Sequence, residues 1–460
     1  MHIKLKLKQT YTLEKIEKGR LMLKIGSSHF CLNVFSEETA MCFLKLIHGI
    51  SENQLVKIIH KNEIEKETLL SFLRSLHNNC CFDYCFYQHA SQKAPIFVIS
   101  PKTTSTNVLE ETKKDSIQPI STDCTISKFT YLRWVNSLQL LENPLASLSI
   151  AISDSSLINS CLSLAKFNRA KPNRCLKYLR HVLLRENFIQ PQAQTEKLCI
   201  KMWSFHDLLF HKNSRMQEFP YPPNFGASFP FKEIGENLPL VKAPMSDIKI
   251  ELEKPNLDNL AAKDPSLTAV LEKRQTRRQH SQNPISKQQL GELLYRVFHV
   301  KHQEEVSGQK IAFHVYPNAG GQHEFEIYIL INNCKDLVKG IYQYNFTSNS
   351  LFLLSNVDDL HLNEMLKLAA YAWANKSHQP QILIILSPKF PRIFWKYEGI
   401  GYRNSLVNAG AIVQTLYLVG EAMNLAVSCL GYGCSDLFSK IIQADPLEET
   451  SILELAIGNK

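Results

Sequence analysis

No stretch of this chain stays apolar for the roughly 18 residues that a bilayer-spanning helix needs. The strongest apolar run, "ILIIL" at 382–386, has only the length of a buried strand. The N-terminal "MHIKLKLKQTYTLEKIEKG" alternates charge with hydrophobicity and lacks the continuous apolar centre of a signal peptide. A cytoplasmic protein that does not engage a membrane is therefore expected. Paired cysteines are missing as well. Twelve are scattered over 460 residues with no CxxC, and "CCFDYC" at Cys80, Cys81 and Cys85 has no matching second pair. A zinc site would want thiolates and histidines at ligand spacing. No metal is expected, and the thiols read as reduced and partly buried.

Charge of one sign is in excess, and unevenly. The net charge is +9, and between Lys166 and Arg215 eleven Lys/Arg stand against three Asp/Glu. Such a stretch suits an acidic partner. Aromatic residues do not interleave with it as a single-strand stacking platform requires, so a peptide is expected and not a nucleic acid.

Hydrophobic residues at 44% and charged residues at 21% are ordinary for a globular protein, and the length allows several domains. Residues 1–100 read as one module. "HIKLKLKQTYTLEKI" and "GRLMLKIGSSHFCLNVF" alternate like paired strands, and three amphipathic helical segments follow, the first opening at Ser36 with Glu37 and Glu38. This order resembles the winged-helix peptide clamp of ribosomal-peptide pathways. Residues 101–128, rich in Ser, Thr and Lys, read as a linker. Residues 129–200 read as a second clamp-like module, with strands in "FTYLRWVNSLQLLENPLASLSIAI" and helices in "SSLINSCLSLAKF" and "KPNRCLKYLRHVLLRENFI". Between Gln217 and Pro265 lie eight of the twenty prolines. Residues 201–265 are thus expected as an extended connector wrapped on a neighbouring surface, and residues 266–460 as a further domain opening with the helix "SLTAVLEKRQTRRQ".

Three stretches of that last domain carry chemistry. Lys273, Arg274, Arg277 and Arg278 cluster around the Thr276 hydroxyl next to a helix end, a combination that can hold a phosphate monoester. "YPNAGGQHEFEIYILI" places a small-residue loop, Pro317, Asn318, Ala319, Gly320 and Gly321, before a strand alternating at Phe325, Ile327, Ile329 and Ile331. Small residues let backbone approach a flat ring, where N–H groups can bond its carbonyls and nitrogens. The loop is not a GxGxxG dinucleotide turn. "FWKYEGIGYRN" sets Lys396 beside Tyr397, two proton-transfer groups, ahead of Gly399 and Gly401 and a helix expected over 404–425. Neighbours in a strand face opposite ways, so the two can share a site only if the glycines mark irregular backbone.

In this order, "KRQTRRQ", "PNAGG…EIYI", "GIYQY", "WKYEGIGYRNSLVNAGAIVQTLYLVGEAMNL" and "GYGC" resemble the nitroreductase-like FMN oxidases of the SagB type, the azoline dehydrogenases that include cyanobactin oxidases. The likeness extends upstream to "MWSFHDLLFHKNSR" at 202–215. It implies an α+β architecture: a nitroreductase-like FMN fold preceded by winged-helix-like clamp modules. It also implies a homodimer, oxygen as electron acceptor, and an azoline-bearing precursor peptide whose leader the N-terminal modules bind. Position by position, it assigns the FMN phosphate to Arg274, Thr276 and Arg278, and Gln275 to the ribityl chain or ring. Pro317–Gly321 would line the flavin, and Gly431 and Gly433 would lie near its reactive edge. Asn318 stands where the family usually has Ser. Lys396 and Tyr397 align with the catalytic pair, which takes a carbon-bound proton while FMN takes a hydride. Two other readings are a general NAD(P)H-dependent nitroreductase and a non-enzymatic peptide-binding scaffold.

Overall fold

The structure, a computed structural model, describes all residues except 1, 10, 18–19, 26–27, 33–35, 62–65, 79, 103–123, 136–137, 154–173, 193–195, 216–228, 236–237, 307–308, 357–359, 375–377 and 398. The linker expected at 101–128 falls mostly on 103–123, and the helix expected in "SSLINSCLSLAKF" on 154–173. Both lie outside the described residues. The chain forms two compact units, Met1–Pro223 and Asn224–Lys460.

In the first unit, strands that the sequence divided between two modules share one sheet. Its seven strands run, in spatial order, Ile50–Ser51, His2–Leu7, Phe82–Tyr87, Phe97–Pro101, Leu148–Ile152, Leu138–Glu142 and Tyr131–Val135, each antiparallel to its neighbours. Ile99 faces Ile150 across the join. Pairing there satisfies two strand edges that separate modules would each leave bare. Helices Glu37–Leu44, Glu52–Lys61 and Lys66–Asn78 follow as the periodicity indicates, the first with Ala40 N–H on Ser36 O. Helix Arg174–Arg185 buries Tyr178, Leu179, Val182 and Leu183. Its Tyr178 ring packs 5.2 Å from Phe86, which stacks on Phe97 at 4.5 Å. Not all of its positive charge reaches solvent. Arg180 is buried and Arg185 pairs with Glu186 at 2.8 Å. The charge of residues 166–173 lies outside the described residues.

The second unit is built on another antiparallel sheet of seven strands, ordered Lys249–Glu251, Ser350–Asn356, Gly340–Asn345, Phe325–Ile331, Ile382–Pro388, Leu453–Asn459 and Leu425–Cys429. Phe325, Ile327, Ile329 and Ile331 pack with helix Lys287–Phe298 and the long helix Gly401–Ala422, through Leu293, Leu294, Ile412 and Leu416. Tyr328 and Leu330 point the other way, to Leu362 and Leu366 of one further helix, Trp373 just past its end, and Phe438 of another. With both faces covered, the whole strand is buried. The long helix ends at Ala422, where Asn424 turns the chain with φ +55°.

The described residues of the proline-rich stretch, from Phe229 onward, belong to this second unit. The N–H groups of Phe229 and Phe231 bond the carbonyls of Lys396 and Trp395, and Lys249–Glu251 forms an edge strand. Lys242 reaches Glu449 at 2.8 Å, whose other oxygen accepts from Tyr328 at 2.6 Å.

Candidate functional site

Lys396 and Tyr397 do not lie on a strand. The short helix Pro391–Phe394 continues for a turn, with both of their N–H groups bonded to Ile393 O at 3.3 and 3.0 Å. Helical neighbours are turned by about 100°, so adjacent side chains can reach one place. That place is Gly320. A Cβ there would sit 2.3 Å from the Tyr397 hydroxyl and 2.8 Å from Lys396 Nζ, and Lys396 donates to Gly320 O at 3.5 Å. Gly320 and Gly321 have φ of +60° and +67°, a conformation glycine adopts without strain. Gly399, at φ +69°, then releases the chain into the long helix.

Burial moves the two groups apart in proton affinity. Lys396, half-buried with Phe229 5.8 Å from its ammonium, is pushed below the usual lysine range. Tyr397 is pushed up, by burial first and by the Glu324 charge second. Of the two, burial eases deprotonation of the lysine and hinders that of the tyrosine.

The loop itself is tightly cross-bonded. Asn318 Nδ2 donates to Gln322 O (2.9 Å), Gln322 Nε2 to Gly320 O (3.0 Å), and Trp395 Nε1 to Gln322 Oε1 (3.1 Å). The Ala319 N–H is already taken by Asn408 Oδ1 at 3.1 Å, so it is not among the donors the loop offers a ring. Pro317 and Gly320 are exposed.

Sequence reasoning missed the carboxylates behind the loop. Glu324, 1% exposed, accepts from Asn408 Nδ2 at 2.6 Å, and burial pushes its carboxyl up to about 7. Glu326 forms a buried ion pair with Arg392 at 2.7 Å. The available signal was "EFE": two carboxylates two apart at the start of a strand otherwise apolar on both faces.

The basic cluster lies on an extended segment. The preceding helix, Leu267–Lys273, is capped by Ser266 and ends at Arg274. Its carboxyl end carries partial negative charge and offers an anion nothing, so the helix terminus expected to assist is of the wrong polarity. Side chains alternate beyond it. Arg274 lies over the Tyr417 ring at 5.3 Å, and Thr276 Oγ1 is 3.2 Å from the Tyr417 hydroxyl. Gln275, with Lys273 and Arg277, lines a different cleft of about 430 Å3. Arg278 is exposed, in phase with Arg274 and Thr276. Tyr417 Oη also accepts the Cys429 N–H at 2.9 Å. Nine residues separate Asn408 from Tyr417 on the long helix, about 13 Å along its axis.

The two late glycines differ. A Cβ on Gly433 would fall 2.1 Å from the carboxylate of Glu454, whereas one on Gly431 meets nothing within 4 Å. Among the described residues no cluster of three His, Cys, Asp or Glu could hold a metal ion, and no helix is long and apolar enough to cross a membrane.

Comparison with known proteins bears on two segments. Residues 271–458 match the nitroreductase family, and residues 124–219 match the family described as cyanobactin oxidase ThcOx. The chain's likeness to the nitroreductase and cyanobactin-oxidase families lies in these two segments. Both matches are to oxidoreductases, and the first lies on the sheet of the second unit and the helices that cover it. A curated relative from Methanocaldococcus jannaschii, described as a nitroreductase, is 22% identical over 211 residues, 46% of this chain and 97% of the relative. Among solved structures, a nitroreductase from Anabaena variabilis is 20% identical with a TM-score of 0.40, covering 54% of this chain and 45% of that one. The E. coli microcin synthetase McbBCD complex, with truncated pro-MccB17 bound, is 17% identical with a TM-score of 0.32, covering 50% of this chain and 80% of that one.

Proposed function

We propose that this protein is an FMN-dependent oxidase that converts thiazolines or oxazolines in a ribosomally made peptide into the aromatic azoles. The observation that carries this reading is the convergence of Lys396 and Tyr397 on Gly320, where the missing side chain lets the phenol and the ammonium close on the loop together. Lys396, whose hold on its proton burial weakens, takes the proton from the ring carbon onto Nζ. Tyr397 keeps its own proton and orients the ring by donating a hydrogen bond. Arg274, Thr276 and Arg278, all on one side of an extended segment, would hold the phosphate of FMN, with Arg274 set in place against Tyr417. The residues present fit that cofactor: a phosphate-sized basic group at one end of the long helix, and a glycine loop of φ near +60° beside its other end. FMN, when bound, supplies the hydride acceptor, so the peptide loses one proton and one hydride per ring.

The first unit would capture the peptide through its leader. Tyr402, Leu406 and Val407, exposed on one face of the long helix, would pair two copies of the chain. The test is to incubate the purified protein with an azoline-bearing peptide and look by mass spectrometry for the loss of two hydrogens per ring, together with release of FMN and not FAD on denaturation. A protein that leaves the peptide unchanged but is reduced by NADPH would instead be a nicotinamide-dependent nitroreductase, the reading that the 271–458 match alone would also allow.

A further inference from the structure

The second unit holds a cleft of about 550 Å3 that the proton transfer just described does not use. One wall is the proline-rich stretch at 238–241. A second is the hairpin of Val300–Val306 and Gln309–His314, through Glu305 and Lys310. The third, made by Gln322, His323, Arg392 and Trp395, backs onto the Lys–Tyr pair. There Trp395 Nε1 donates to Gln322 Oε1 at 3.1 Å, and Gln322 Nε2 to Gly320 O at 3.0 Å, the carbonyl to which Lys396 also donates. Arg392 and His323 are each 4% exposed, and neither spends all of its polar atoms on the protein. Arg392 uses Nη1 on Glu326 Oε1 at 2.7 Å and on His323 O at 3.1 Å. Its Nε and Nη2 have no hydrogen-bond partner among the described residues. His323 shares Nδ1 with His314 Nε2 at 2.8 Å and likewise leaves Nε2 without a partner.

We propose that this cleft is a carboxylate-binding site, anchored by the unused Nε–Nη2 edge of Arg392. Those two nitrogens carry parallel N–H bonds, the fork that takes both oxygens of a carboxylate at once. Left bare inside the protein, such a donor pair costs free energy that a ligand recovers. The charges of the lining favour an anion. Lys310 and Arg392 stand against one carboxylate, Glu305, which is the strand partner of Lys310, while Glu326 holds Arg392 from outside the lining. The volume lies within the roughly 300–1,000 Å3 usual for small-ligand sites. The carboxylate can belong to a peptide side chain, to a peptide's free end or to a small organic acid. The site does not rest on the azoline-oxidising reading. On that reading, a peptide held here would lie against the wall that carries Lys396 on its other side.

The experiment follows Trp395, which lines the cleft, by 19F NMR of the full chain labelled with fluorotryptophan, its resonance assigned with Trp395→Phe. Four probes are titrated: acetate, a short end-blocked peptide with a central Glu, the same peptide with Gln there, and the Gln peptide with a free carboxyl end. At least one carboxylate probe is expected to shift Trp395 saturably, with a Kd at least about tenfold below that of the end-blocked Gln peptide, the difference one charge-assisted hydrogen bond makes. The tightest of the three carboxylates identifies the source. Arg392→Lys keeps a charge for Glu326 but has no fork, and should abolish the preference for carboxylate. Thr347→Phe, at an exposed lining position, obstructs the cleft and should weaken carboxylate binding, which decides the matter if Arg392→Lys does not fold. No saturable shift with any carboxylate, equal affinity for the end-blocked Glu and Gln peptides, or binding undiminished by Thr347→Phe overturns the proposal. Carboxylate binding by a protein that oxidises no azoline peptide would sink the activity reading and leave the site standing.

Discussion

Replacing Gly320 by alanine separates the cost of a backbone conformation from the cost of a displaced reacting group. At φ +60° an L side chain is strained, which costs roughly 1–2 kcal/mol. That alone lowers the unfolding midpoint by a few degrees. The larger effect is local. The new methyl would lie 2.3 Å from the Tyr397 hydroxyl and 2.8 Å from Lys396 Nζ. Carbon and oxygen approach no closer than roughly 3.3 Å, so the phenol must move by about 1 Å. The lysine ammonium, at the end of a flexible chain, swings away at little cost. The tyrosine ring moves as a rigid plate from a half-buried position and takes the site with it. A misplacement of that size costs on the order of 100-fold in rate. Anaerobic stopped-flow reduction of the bound flavin by azoline peptide reads that loss, calorimetry reads the stability, and flavin absorbance confirms that the cofactor is retained. If Gly320→Ala holds FMN and is reduced at close to the wild-type rate, the convergence of the pair on this glycine has no bearing on the reaction.

Four other outcomes are expected. Lys396→Ala and Tyr397→Phe should keep FMN and lose azoline oxidation, with at least one falling by about 10²–10⁴-fold in peptide turnover, while dithionite reduction and reoxidation in air stay normal. Arg274→Ala combined with Arg278→Ala should release the flavin on gel filtration; full occupancy would remove the phosphate assignment. Val407→Glu, 56% exposed on the long helix, should yield a monomer by light scattering if that face joins two chains. Acid should destabilise the fold through His314, buried against His323 at 2.8 Å and depressed from 6.5 to about 4. A depressed histidine favours the folded state above its unfolded value, and that stability is lost as pH falls from 6.5 towards 4. At about 1.4 kcal/mol per pH unit the loss approaches 3 kcal/mol, so denaturation midpoints should decline over this window, less steeply in His314→Leu.

The sequence made the second unit's sheet legible because its central strands are long, apolar and bounded by turns: Phe325–Ile331, Gly340–Asn345 and Ile382–Pro388 lie where the pattern put them. Joining Phe97–Pro101 to Leu148–Ile152 was not legible, because strand pairing across fifty residues leaves no mark in local periodicity. At the site, the loop glycines and the Lys–Tyr pair could be picked out by residue type. Their meeting depends on a helical turn over 391–397 that the lone Pro391 signals only weakly. Glu324 and Asn408 were hidden for a different reason. A polar residue in a buried setting looks like any surface residue until its partner, 84 positions away, is brought beside it.

The strand of chain that roofs Lys396 arrives from outside the segment that defines the family match. Phe229 and Phe231 bond to the backbone of 395–396, and the Phe229 ring shields the lysine, whereas the nitroreductase match begins at residue 271. An excised 266–460 fragment would carry both proton-transfer groups and the basic cluster, yet leave the ammonium wetted and the sheet edge at Ser350–Asn356 bare. Lysine in water holds its proton at neutral pH. In the proposed mechanism the lowering of Lys396 draws on the leading chain, and a fragment that starts after Phe229 should lose azoline oxidation.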